Sequence, residues 1–138
     1  EQVISNREAY RKFLQLVENQ GGDISYIENT EKFTKAKYKM PVEAVKTGYV
    51  QKLNAEKVGK IAMHLGAGRM KKEDNIDYAV GIELLKKVGC QVEQGETIAY
   101  IYADDEQKGR EAVEKLQQTY EIGEQNVEKV ADIIEIIE

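Results

Sequence analysis

Val88-Gly89-Cys90-Gln91-Val92-Glu93-Gln94-Gly95-Glu96-Thr97-Ile98-Ala99-Tyr100-Ile101-Tyr102 carries the strongest fold signal in the chain. Its first half is turn-rich, with Gly89 and Gly95 as the punctuating residues. Its second half alternates: Ile98, Tyr100 and Tyr102 flank Ala99, Ile101 and Ala103, so both faces of a strand are partly apolar. Asp104 or Asp105 then stands ready to cap a helix running to about Gln118, with Val113, Leu116 and Tyr120 on one side. A strand entered through glycine turns and left through a capped helix points to an α+β fold.

Upstream of this stretch the period changes twice. Ser5, with Glu8 as capping-box partner, opens a helix whose stripe is Tyr10, Phe13, Leu14 and Val17. Gly21-Gly22 ends it, and Asp23 to Lys35 reads as a polar connector. From Ala36, residues Tyr38, Met40, Val42 and Ala44 alternate with Lys37, Lys39, Pro41 and Glu43. Pro41 cannot donate to a ladder, which makes this an edge strand or one that starts there. Thr47-Gly48 turns the chain, and Tyr49 to Leu53 returns as a second strand. Asn54 caps a helix with Ala55, Val58, Ile61, Ala62 and Leu65 on one face, and Gly66 stops it. Ala79 to Lys87, with Gly81 inside, reads as a further strand. The β-branched pairs Ile133-Ile134 and Ile136-Ile137 favour a strand at the end.

The 138 residues are 41% hydrophobic and 33% charged. A chain of this size buries ~70% of its unfolded surface without a disulfide or metal staple. The lone Cys90 excludes an internal disulfide framework and a cysteine-based zinc site, and the lone His64 leaves no histidine pair for a metal. No apolar run approaches the ~20 residues of a membrane span, and no signal peptide opens the chain, so a soluble, cytoplasmic protein is expected. Glu rather than Met at position 1 suggests a piece of a longer protein. The 25 acids outnumber the 20 basic residues, for a net charge of −5. Lys35, Lys37, Lys39 and Lys46 read as one solvated strand face rather than a nucleic-acid site, and no aromatic platform for bases is present.

Gly66-Ala67-Gly68-Arg69 is the sharpest candidate for binding. Two glycines let backbone approach a ligand, and a guanidinium can fork onto phosphate or carboxylate. The loop follows a helix, so it lacks the strand-to-helix context of a dinucleotide or nucleotide-triphosphate loop. The bland alternative is a helix stop plus a surface Arg69 paired to Asp74 or Asp77. His64 reads as structural, Cys90 as a free turn cysteine, and Glu73-Asp74 and Asp104-Asp105 as solvating or capping acids.

Two resemblances follow from these residues. The Val88 to Ile101 run resembles the half-barrel of biotinyl and lipoyl carrier domains, which makes a mixed or antiparallel sheet with half-barrel features the expected architecture. Such carriers modify a lysine at a hairpin tip. Here the first lysine after the run is Lys108, inside the expected helix.

A more specific set is Lys39-Met40-Pro41, Gly48-Tyr49-Val50, Leu65-Gly66-Ala67-Gly68-Arg69, Asp74-Asn75-Ile76-Asp77, Val80-Gly81-Ile82 and the Val88 to Ile101 run, in that order. Together they closely resemble the C-terminal domain of the thymidine/pyrimidine-nucleoside phosphorylase family. Cys90 and Leu85 depart from the residues usual there. Gln20-Gly21-Gly22-Asp23 looks like the end of that family's α/β domain, which implies residues 1–35 as that end plus a connector and 36–138 as the C-terminal domain.

The resemblance implies a homodimeric parent enzyme that converts a pyrimidine nucleoside and phosphate to free base and pentose 1-phosphate. It also implies that the phosphate loop, the base-binding residues and a potassium site lie outside this chain. No catalytic, substrate-binding or metal residue is therefore carried over. Gly66, Gly68, Arg69, Lys72 and Asp77 form the candidate cleft loop, expected to be mobile because nothing apolar anchors it between Leu65 and Ile76. A stand-alone carrier or interaction module, or a small anion-binding regulatory domain, are the competing readings.

Overall fold

Alternation over Tyr38 to Glu43 builds the first strand of a sheet whose centre lies sixty residues further along the chain. The computed structural model describes residues 2–69 and 71–128. It divides into two compact units, Glu1–Thr34 and Lys35–Glu138.

The first unit contains α1 (Gln2–Ser5), α2 (Glu8–Asn19), α3 (Ser25–Glu28) and a short 3-10 turn at Thr30–Lys32. None of its described residues is buried. The expected Ser5–Glu8 capping box does not form. Ser5 Oγ donates to the Gln2 carbonyl, and Asn6 Oδ1 instead accepts the Glu8 N–H at 2.9 Å. Arg7 takes a left-handed conformation between the two helices. Gly21 and Gly22 close α2 as expected: their N–H groups reach the carbonyls of Glu18 and Val17. Of the expected stripe, Tyr10 and Phe13 remain 42% and 46% exposed while Leu14 and Val17 are half-buried. The connector is more ordered than a plain linker, with Tyr26 and Phe33 packed edge to face at 5.4 Å.

The second unit holds β1 (Tyr38–Glu43), β2 (Gly48–Leu53), α4 (Ala55–Leu65), β3 (Gly81–Leu84), β4 (Gln91–Val92), β5 (Thr97–Ala103), α5 (Glu106–Thr119) and β6 (Tyr120–Gly123). Two three-stranded antiparallel sheets result, in the orders β1-β5-β3 and β4-β2-β6. The class is α+β, with flanking helices and no closed barrel. β1 is an edge strand, in keeping with Pro41.

β1 and β2 do not return on each other as a hairpin. Each finds its partners far along the chain, because Ala44 leaves β1 tied to Glu96 while Gly48 begins pairing with β4 and β6. The strand expected over 79–87 is confined to β3, since Leu85 and Lys86 both turn their N–H groups to the single Ile98 carbonyl. The Ile133–Ile137 pairs lie outside the described residues.

The core joins both sheets and both long helices. Val42, Val50, Val92, Ile98, Ile101 and Leu116 are fully enclosed. α5 crosses β1 at Gly109, where a Cβ would sit 2.8 Å from Met40 Sδ and 3.1 Å from Ala103 Cβ. The two adjacent aspartates divide their work. Asp105 Oδ1 caps α5 through the Lys108 N–H at 3.0 Å, and Asp104 Oδ1 takes the Lys37 N–H at 2.8 Å, fixing the start of β1. No described helix is long and apolar enough to cross a membrane.

Tyr120 continues the helical spacing of Val113 and Leu116, yet it opens β6 instead of extending α5. Its hydroxyl donates toward the Lys86 carbonyl at 3.0 Å, with the Ile98 carbonyl 3.3 Å away. Burial, with a smaller contribution from Cys90, pushes its pKa from the usual 10.0 up to about 12. The folded state thus favours the neutral phenol. This contribution is fully present below pH 10 and disappears as pH rises from about 10 to about 12, at most ~2.7 kcal/mol in all and less after solvent screening. Spectroscopic titration should show one tyrosine ionising later than the rest. Tyr120→Phe should remove that late step and flatten the alkaline loss of stability.

Candidate functional site

The loop after α4 is shaped from both ends. Asn54 Oδ1 accepts the Lys57 N–H at 3.0 Å and starts the helix. Gly66, with φ of 113°, ends it: the Gly66 and Ala67 N–H groups return to the Met63 and Ala62 carbonyls at 3.0 Å each. Only glycine takes that backbone conformation without strain.

The Gly66 carbonyl then accepts the Asp77 N–H at 2.9 Å, so the loop closes on its own base. Asp77 Oδ1 accepts the Ala79 N–H at 2.9 Å and turns the chain into buried Val80 and on to β3. Within the loop, Asp74 Oδ2 accepts the Lys71 N–H at 2.8 Å. The second glycine has a different reason. A Cβ at Gly68 would stand 2.8 Å from Met63 Cγ, so the loop lies close over the last turn of α4.

Among the five candidate positions, Gly66 and Asp77 meet through the backbone at the loop's base, and Gly68 lies against α4. Arg69 and Lys72 are exposed on its outer part. Ala67 is half-buried against the core, which corrects the expectation that nothing apolar anchors the loop. Asp74 is the member that sequence reasoning passed over as a loop organiser. Its signal was available: an aspartate three residues after Lys71 fits a side-chain-to-backbone turn. The arrangement is a pinned base from which Arg69, Lys71, Lys72 and Glu73 are exposed, as is Tyr78 at 87%. Chemically it can present positive charge to an anion or to acidic groups across a cleft. Among the described residues, no cluster of three or more His, Cys, Asp or Glu could hold a metal ion.

The remaining candidates have local roles. His64 Nε2 stands 3.5 Å from Glu111 Oε2, linking α4 to α5 at an exposed position. The Cys90 carbonyl accepts the Val50 N–H at 2.9 Å, and its half-buried thiol is free. Lys39 Nζ lies 3.9 Å from the Tyr100 ring centre and 5.2 Å from that of Tyr102. Its ammonium is held charged to higher pH chiefly by its hydrogen bond to Tyr102. Lys108 sits in the first turn of α5, not at a hairpin tip, so the lysine that carrier chemistry requires is not presented there.

The family model for the pyrimidine nucleoside phosphorylase C-terminal domain matches residues 49–123, more than half of the chain. The chain belongs to this family. The match takes in α4, the Gly66–Asp77 loop, β3 to β5, α5 and β6. Among curated relatives, the pyrimidine-nucleoside phosphorylase of Bacillus subtilis (strain 168) is 46% identical over 106 residues. That alignment covers 77% of this chain and 24% of the relative. The pyrimidine-nucleoside phosphorylase of Staphylococcus aureus (strain USA300) is 43% identical over 103 residues, or 75% of this chain and 24% of the relative. The chain thus matches about a quarter of the length of these phosphorylases, and the matched quarter includes the pinned loop.

Proposed function

We propose that this chain serves as the C-terminal domain of a pyrimidine-nucleoside phosphorylase and completes one wall of its active-site cleft. The observation that carries the reading is the 46% identity to the Bacillus subtilis phosphorylase, together with a family match that spans the whole Gly66–Asp77 loop. In the parent reaction a phosphate oxygen bonds to the sugar C1′ as the bond from C1′ to the base nitrogen breaks. The products are free base and pentose 1-phosphate. The sugar carbon passes through an oxocarbenium-like state, which water would capture. Closing a second domain over the site excludes water and holds phosphate against that carbon.

On this reading the chain supplies rigidity and a cationic lip, and the parts of the parent outside it bind phosphate, base and potassium. Those parts also make the homodimer, and the enzyme acts in cytoplasmic nucleoside salvage. The exposed Tyr10 and Phe13 of α2 would pack on the parent's α/β domain, since burying each such side chain is worth ~1.5–3 kcal/mol.

The test is release of uracil or thymine from uridine or thymidine in phosphate buffer. The 138-residue chain alone should give no turnover, while the full-length parent does. Turnover by the chain alone at a rate near the parent's overturns the proposal. A biotinyl or lipoyl mass gained on expression would support the carrier alternative instead.

A further inference from the structure

One face of the β1-β5-β3 sheet turns away from the core. The register places Lys39 and Pro41 of β1, Tyr100 and Tyr102 of β5, and Gly81 and Glu83 of β3 on it. The opposite face carries Met40, Val42, Ile82, Ala99, Ile101 and Ala103, which form the core or pack on it. α5 lies on that inner side, with Gly109 against Met40 and Ala103. Both edge strands are weak on the outer face. Pro41 cannot donate to a ladder, and the β1 register shifts between Val42 and Glu43. β3 is four residues long, and Gly81 sets no side chain opposite Tyr102. Nothing lies within 4 Å of where a Gly81 Cβ would stand.

One side chain bridges that weakness. Lys39 Nζ stands 3.9 Å from the Tyr100 ring centre, 5.2 Å from that of Tyr102 and 4.0 Å from Glu83 Oε2. Lys39 and Glu83 belong to opposite edge strands, two strand spacings or ~10 Å apart, so they meet only with both side chains laid across β5. The Tyr102 hydroxyl completes the link. It donates to Glu83 Oε2 at 2.6 Å and is the first cause of the Lys39 ammonium staying charged to higher pH. A cation over an aromatic face is attracted by the ring quadrupole, more so as water is removed, and both rings here are half-buried.

We infer that Lys39 is a charge-operated clasp: its ammonium, resting on Tyr100 and Tyr102 and reaching Glu83, holds both edge strands on β5 at once. Without that charge β1 and β3 loosen together, while the β4-β2-β6 sheet stays closed. A single ammonium thereby controls the two free edges of this sheet, the places where a foreign strand could pair. The inference concerns the second unit alone and can fail without the phosphorylase reading.

The experiment is amide hydrogen exchange on the 138-residue chain. Lys39→Met keeps the apolar stem and removes the charge. The ladder amides of β1 and β3 should then exchange roughly fivefold faster, the opening expected for loss of a partly exposed cation–π contact. Those of β2 and β6 should keep the parent rates. Lys39→Arg retains a cation that stacks on aromatic faces and should restore β1 and β3 together. Parent rates in the Lys39→Met chain overturn the inference. So does acceleration in β1 alone, which would make Lys39 a local strand substituent, or equal acceleration in both sheets, which would make it a contributor to global stability only. A Lys39→Arg chain that exchanges as fast as the Lys39→Met chain overturns the role of charge.

Discussion

Gly48→Ala should lower the unfolding free energy of the second unit by about 2–4 kcal/mol, from overpacking and backbone strain together. A Cβ at Gly48 would lie 2.5 Å from the Gly123 carbonyl oxygen and 3.1 Å from Ile122 Cγ2. The blocking atom is backbone and belongs to β6, the strand that β2 must pair with, so it cannot swing aside. A φ of 156° adds to the cost. Two other glycines serve as internal controls. Gly95 has φ of 84° but open space around it, so alanine there should cost only ~1 kcal/mol. Gly59 is exposed inside α4 with nothing near its Cβ position, and alanine should stabilise by ~0.5–1 kcal/mol. Chemical denaturation of the three variants checks the order. A Gly48→Ala protein as stable as the parent would show that β2 and β6 do not approach as described.

In the full-length phosphorylase, Arg69→Ala should reduce kcat by roughly 10- to 150-fold, the rate equivalent of losing a charged hydrogen bond of ~1.5–3 kcal/mol in the transition state. Arg69 is exposed on the outer part of a loop whose base is pinned by Gly66, Ala67 and Asp77. The proposed closure would bring that side chain to the cleft. The same substitution in the 138-residue chain should change stability by no more than ~0.5 kcal/mol. Steady-state kinetics beside thermal melts separates the two. Unchanged kcat and kcat/KM would make Arg69 an ordinary surface residue, and a large drop in melting temperature would make it structural.

The helices of the second unit were legible because their ends are chemically marked. Asn54, Gly66 and Asp105 each do locally what their residue types favour. β5 was legible by its alternation. Strand partners were not, because pairing between Met40 and Ile101 leaves no mark near either residue. A short turn at Thr47-Gly48 suggests a hairpin, and only the tertiary core decides otherwise. β6 was hidden because Tyr120 fits both a helix face and a strand. At α2, Ser5 and Asn6 are both able caps, and the sequence alone does not choose between them. In the loop, the glycines and Asp77 were visible as residues, but the hydrogen bond that joins them was not. It depends on Val80 being drawn into the core just beyond.

Because β1 waits for β5 and β2 waits for β6, neither sheet can assemble from neighbouring segments. The second unit is therefore a high-contact-order fold, with folding expected in milliseconds to seconds rather than microseconds. During synthesis β2 has no complete set of partners until Gly123 has left the ribosome. Until then β2 lacks its β6 neighbour, and a nascent chain stalled within α5 leaves that edge open as an aggregation hazard.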